Sequence, residues 1–128
     1  MKNFIISLFT IMIFAYSCSA QDTIKTISPN DFAKEIVAIP DAVILDVRTA
    51  KEYAESHLNG AINIDFLQTK DFEKRIADLD KSKTYYVYCR SGKRSHNAAV
   101  KMRALGLNVI DMKGGIIAWN KEKLPTTK

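Results

Sequence analysis

The amino-acid sequence predicts a single α/β domain with a central, mainly parallel sheet and helices on both faces. Three observations carry that expectation. The run Ala42-Val43-Ile44-Leu45-Asp46-Val47 is almost wholly apolar, as suits a central parallel strand covered on both sides. Strand-like and helix-like patterns alternate along a chain of 128 residues. Cys89 closes a β-branched and aromatic run, and in such sheets ligands sit beyond the carboxyl ends of the strands.

Taken in order, Ile24 to Ile27 alternates apolar and polar residues like a half-covered strand. Ser28-Pro29 opens a helix, because Ser28 can accept from orphan N–H groups and Pro29 is preset for the first helical position. Phe32, Ile36 and Val37 give that helix its apolar stripe, and Pro40-Asp41 ends it. After the apolar strand, Thr49 with Glu52 three residues on forms a capping box for a short helix to about Ser56. Asn59-Gly60 marks a turn before a brief strand, Ala61 to Ile64. Phe66, Leu67, Phe72, Ile76 and Leu79 follow helical spacing, so a helix is expected over 66–79. Thr84 to Tyr88 is the strand that delivers Cys89; the tyrosines Tyr85, Tyr86 and Tyr88 fit strand propensity. A helix from Ser95 to Leu105 stops at Gly106, Val109 to Met112 is the last strand, Gly114-Gly115 a turn, and Ile116 to Lys123 a closing helix with Trp119 in the core.

The N-terminus has a different character. Lys2, an apolar run of about 13 residues from Phe4 to Tyr16, and small residues around Cys18 form a secretory leader over residues 1–20. The run is shorter than the roughly 20 residues of a transmembrane helix. Ala15-Tyr16-Ser17-Cys18 resembles a bacterial lipoprotein processing site, with cleavage before Cys18 and lipid on its sulfur; ordinary cleavage after Ala20 is the alternative. Both lead to an exported protein, soluble in the periplasm or anchored to a membrane by lipid. Taking the first 17 residues off 128 leaves 111, enough for one core but not two, and the domain is expected over 24–124. Losing Lys2 lowers the formal charge from +5 to +4, too mild for a nucleic-acid partner. Small anions fit better.

Cys89 is then the lone domain thiol, so the domain has no internal disulfide. A cysteine thiol of pKa about 8.5 is mostly protonated at neutral pH. In Cys89-Arg90-Ser91-Gly92-Lys93-Arg94-Ser95, three cations, a following helix start and a tight loop able to turn N–H groups inward all favour the thiolate. The same cradle suits an anionic sulfur donor. Gly92 supplies the backbone freedom.

These residues resemble the rhodanese-like domains over essentially the whole mature chain. Ile44 to Arg48 with Glu52-Tyr53 and His57 to Asn63 matches the family's N-terminal signature, Tyr86 to Ser95 its active-site loop, and Lys113 to Ile116 with Ala118-Trp119 its C-terminal one. The resemblance implies that Cys89 takes sulfane sulfur from a donor such as thiosulfate and passes it to cyanide or a thiol through a persulfide, with no metal or organic cofactor. It makes Cys89 the nucleophile and Arg90, Ser91, Gly92, Lys93, Arg94, Ser95 and Arg48 the substrate-binding set. Related phosphatases hold phosphate in a Cys-x5-Arg loop, whereas Arg94 makes the spacing here Cys-x4-Arg and Ser95 takes the arginine's place. The shorter loop goes with sulfur.

Asp46 reads chiefly as Arg48's structural partner, and no further carboxylate or histidine is visible at the loop. His57 and His96 lack neighbours for a metal site, although His96 follows Ser95 in the first turn of its helix and stands near the loop. Two other functional classes use the same cysteine. One is a sulfur-carrier or binding module without turnover, and the other is a thiol redox sensor.

Overall fold

The computed structural model describes residues 23–128; the leader and Cys18 lie outside the described residues. Five strands and five helices alternate strictly. They are β1 (Lys25–Ile27), α1 (Pro29–Ala38), β2 (Ala42–Asp46), α2 (Ala50–Glu55), β3 (Ile62–Asn63), α3 (Thr69–Ala77), β4 (Thr84–Tyr88), α4 (Lys93–Ala104), β5 (Asn108–Met112) and α5 (Gly115–Lys121). The sheet order is β1-β5-β4-β2-β3, and every strand pairing in it is parallel. The three longest strands, β2, β4 and β5, are interior, with β4 in the middle.

Side-chain alternation along β4 splits the core in two. Tyr85, Val87 and Cys89 face the layer of α3 and α4, where Phe72, Ile76, Ala98, Ala99 and Met102 are buried. Tyr86 and Tyr88 face the layer of α1 and α5 and meet Phe32, Ile116 and Trp119. Phe32 packs edge-on against both Tyr86 and Trp119. Both faces of β4 thus pack against apolar layers.

The expected caps are present. Ser28 accepts from Asp31 N–H at 3.1 Å, and Thr49 and Glu52 close their capping box. Two helices start elsewhere than their periodicity suggests. α3 begins at Thr69 rather than Phe66, because Phe66 N–H is drawn to Val47 O (3.1 Å) and Asp65 Oδ1 takes Leu67 N–H (2.9 Å), holding 66–68 in a turn. α4 begins at Lys93, two residues before Ser95, so half of the expected loop is helical. Gly92, at φ 108°, makes the sharp entry that permits this.

Candidate active site

Cys89 follows directly on β4, the central strand, and is 1% exposed. Its Sγ accepts a hydrogen bond from the Gly92 N–H at 3.0 Å. An N–H aimed at sulfur is a donor ready for negative charge on that atom. The loop carbonyls are held from the other side by α5, whose Ile116 and Ile117 N–H groups donate to Cys89 O (2.8 Å) and Arg90 O (3.2 Å). Only glycine fits at 115. A Cβ there would lie 2.4 Å from Arg90 O and 2.5 Å from Cys89 O, and the backbone has φ 60°. The Gly114-Gly115 pair, legible in sequence only as a turn, is a strut under the cysteine loop.

The start of α4 completes the cradle. Gly92 is its N-cap and has no side chain to offer, so among the described residues no side chain caps the first-turn N–H groups of Lys93, Arg94 and Ser95. Gly92 O accepts from His96 N–H (3.1 Å) and from the Ser95 hydroxyl (3.2 Å), which fixes this turn against the loop. Uncapped N–H groups at the positive end of a 12-residue helix beside a cysteine are suited to an anion.

The three loop cations divide by role. Arg90 and Lys93 are exposed at the rim. Arg94 is mostly buried and forks onto Glu52, with Nη1 to Oε1 at 2.7 Å and Nη2 to Oε2 at 3.0 Å. Arg94 pulls the Glu52 carboxyl down to about 2, with the Thr49 N–H and hydroxyl adding to the effect against burial. In return Glu52 raises the Arg94 pKa, and the nearby Cys89 charge contributes in the same direction. Glu52, expected only as a helix cap, therefore also ties α2 to the sulfur loop.

A family description, Rhodanese-like domain, matches residues 28–122. The chain belongs to that family. A sulfurtransferase of Allochromatium vinosum is 28% identical over 103 residues, covering 80% of this chain and 94% of the relative. The chloroplastic thiosulfate sulfurtransferase 16 of Arabidopsis thaliana is 35% identical over 92 residues, covering 64% and 77%. In structure, a rhodanese-related protein from Thermoplasma volcanium superposes with a TM-score of 0.70 at 31% identity, covering 80% of this chain and 97% of that one. Sulfurtransferases are thus among the homologues of this rhodanese-like domain.

Within the rhodanese-like domain, Arg48 is drawn inward. It is 4% exposed, and its Nε and Nη2 donate to Asp46 (3.0, 3.1 and 2.7 Å) and to Ser56 O (2.6 Å), while its guanidinium lies 5.6 Å from the Tyr88 ring centre. Asp46 also receives the Tyr88 hydroxyl at 2.6 Å. Burial and the Asp46 charge push the Tyr88 phenol well above its ordinary range, so it stays a donor. These residues brace the ends of β2 and β4 rather than open onto the loop. His57 is stacked on Tyr53 with Nδ1 2.7 Å from Tyr53 O, and His96 is exposed on the first turn of α4.

Sequence reasoning missed two carboxylates at the loop. Glu52 arrives through its pairing with Arg94, 42 positions away. Asp111, at the end of β5, is 2% exposed, and its Oδ1 has no hydrogen-bond partner among the described residues. Burial raises its pKa to about 6, against the pull of the Ser95 hydroxyl, the His96 charge, the Met112 N–H and the Thr26 hydroxyl. A charged residue inside a β-branched strand run was its only signal.

Proposed function

We propose that the domain is a thiosulfate sulfurtransferase working through a persulfide on Cys89. The observation that carries this is the Gly92 N–H on Cys89 Sγ at 3.0 Å, beside the uncapped start of α4. The Cys89 thiolate attacks the outer sulfur of thiosulfate. A new S–S bond forms, the S–S bond of the donor breaks, and sulfite leaves with its electron pair. Cyanide or a thiolate then attacks the terminal sulfur, takes it away, and returns Cys89 as thiolate. Gly92 N–H and the first-turn N–H groups of α4 hold the negative charge in both half-reactions, so this chain's own groups suffice for the cycle. Arg90, Ser91 and Lys93 form the entrance, and Arg94 keeps the loop in shape through Glu52.

The test is thiocyanate production from thiosulfate and cyanide by the domain. Turnover lost in Cys89→Ser is expected; no turnover in the wild type, or undiminished turnover in the variant, refutes the reading. The leader over residues 1–20 supports export, to the periplasm or to a membrane through lipid on Cys18. The mass of the N-terminal peptide from cells distinguishes a lipid-bearing Cys18 from a free end at Gln21.

A further inference from the structure

Arg94 carries a guanidinium fork of the shape that grips an oxyanion through two parallel N–H bonds, and that fork is already filled. Its Nη1 and Nη2 donate to the two carboxylate oxygens of Glu52 at 2.7 and 3.0 Å. The pair stands at the mouth of the sulfur loop and is partly open to solvent. Val47 N–H donates to Tyr88 O at 3.1 Å, so the chain leaves β2 against the chain leaving β4, one residue before Cys89. α2 and α4 start from these two neighbouring exits, with Glu52 in the first turn of one and Arg94 in the first turn of the other. The helix cap does not account for the charge on Glu52. Its Oε1 takes the Thr49 N–H at 3.3 Å, a contact that glutamine also makes in a capping box. The charge acts on Arg94: it cancels one of the loop's three cations and leaves Arg90 and Lys93 at the rim, with the Gly92 N–H inside.

We propose that Glu52 is a specificity-determining residue that limits how strongly the sulfur loop holds doubly charged anions: by occupying the Arg94 fork it withholds that guanidinium from the donor. An incoming anion does not easily displace it. Glu52 Oε1 is also held by the Thr49 hydroxyl at 3.1 Å and the Thr49 N–H, and the carboxyl, lowered to about 2, is charged at every working pH. The donor therefore meets the loop N–H groups and the exposed rim cations only. A free fork beside Cys89 would grip a dianionic donor and the departing sulfite alike, and uniform binding of that kind lowers KM without raising kcat. It would also favour thiosulfate over donors with a single charge, such as an alkyl persulfide. With the fork filled, the preference for two charges over one is smaller.

This deepens the sulfur-transfer reading and rests on it for its biological meaning, but its test needs no turnover. Alkylation of Cys89 by iodoacetamide, a neutral reagent, is timed at constant pH and ionic strength against rising sulfate, a dianion, or methanesulfonate, which offers a similar face of oxygens with one charge. The half-protecting concentration is read for wild type, Glu52→Gln, Arg94→Gln and the double variant. In Glu52→Gln, sulfate should protect at about four- to tenfold lower concentration, the span of one partly exposed charged contact. Methanesulfonate, with half the charge, should gain by about the square root of that factor. Arg94→Gln leaves the Glu52 carboxylate unneutralised at the mouth and should weaken sulfate protection by a similar factor. The double variant, neutral again, should return to within about twofold of wild type. Weaker or unchanged sulfate protection in Glu52→Gln overturns the proposal, since Glu52 would then only hold the loop in shape. So does an equal gain for the two anions. So does a double variant as weak as Arg94→Gln, which would mean that Arg94 itself grips the anion in the wild type. Should Glu52→Gln fail to fold, the double variant set against Arg94→Gln decides by itself. Thiocyanate assays play no part in this outcome, so a domain inactive on thiosulfate and a wrong role for Glu52 give different results.

Discussion

Asp46 and Asp111 occupy matching places in the fold yet live in opposite circumstances. Each sits at the carboxyl end of a strand flanking β4, Asp46 in register with Tyr88 and Asp111 with Val87, and each is almost fully buried. Asp46 collects the Arg48 N–H and guanidinium and the Tyr88 hydroxyl, all within 3.1 Å. Asp111 keeps an orphan oxygen. Burial alone therefore does not decide what a carboxylate does. Where donors converge it becomes part of the frame, and where they do not it is left free to exchange a proton near neutrality.

The contrast can be broken by mutation, starting from the framed side. Asp46→Ala strands a buried Arg48 and should cost about 3–5 kcal/mol in urea unfolding; a loss below about 1 kcal/mol would show that the pair is not a frame. Asp111→Asn should act in the other direction. Because the folded carboxyl is raised from 3.8 to about 6, the folded state binds more protons between those values, and stability falls as pH rises through that window. The variant should thus be more stable than wild type by about 2 kcal/mol at pH 7.5, with the gain gone at pH 3.5. Denaturation midpoints at the two pH values measure it.

Tyr88→Phe removes a hydroxyl that gives to Asp46 and takes from Leu58 N–H (3.1 Å), and should cost about 1–3 kcal/mol while leaving the Asp111 window unmoved. Glu52→Gln should have the smallest effect, under about 1 kcal/mol, because the pair with Arg94 is partly exposed. Its sign follows from a carboxyl lowered from 4.5 to about 2: the stability is present above pH 4.5 and is lost as pH falls through that range. A larger loss in sulfur-transfer rate than in stability would mark the pair as a support for the loop.

What could be read from the chain was whatever is written locally. The apolar run of β2, the capping box of Thr49 and Glu52, and the placement of Cys89 at the end of β4 are patterns over a few neighbouring residues, and each is found in the structure. The helix starts at Lys93 and Thr69 were harder, since a glycine cap and an aspartate turn overrode the apolar spacing. The Arg94–Glu52 fork and the orphaned burial of Asp111 were out of reach. They depend on parallel registers between distant segments, which no local spacing encodes. Arg94, read in the sequence as part of the substrate cradle, is in the structure a clasp onto Glu52.

The order of the strands has a consequence for life in a crowded solution. The sheet's exposed borders are β1 and β3, of three and two residues, while every five-residue strand is interior. A neighbouring chain seeking unpaired N–H and C=O groups finds only these short stretches, too little to template a growing sheet. A long, apolar β4 is thus carried safely because it is never the outermost strand.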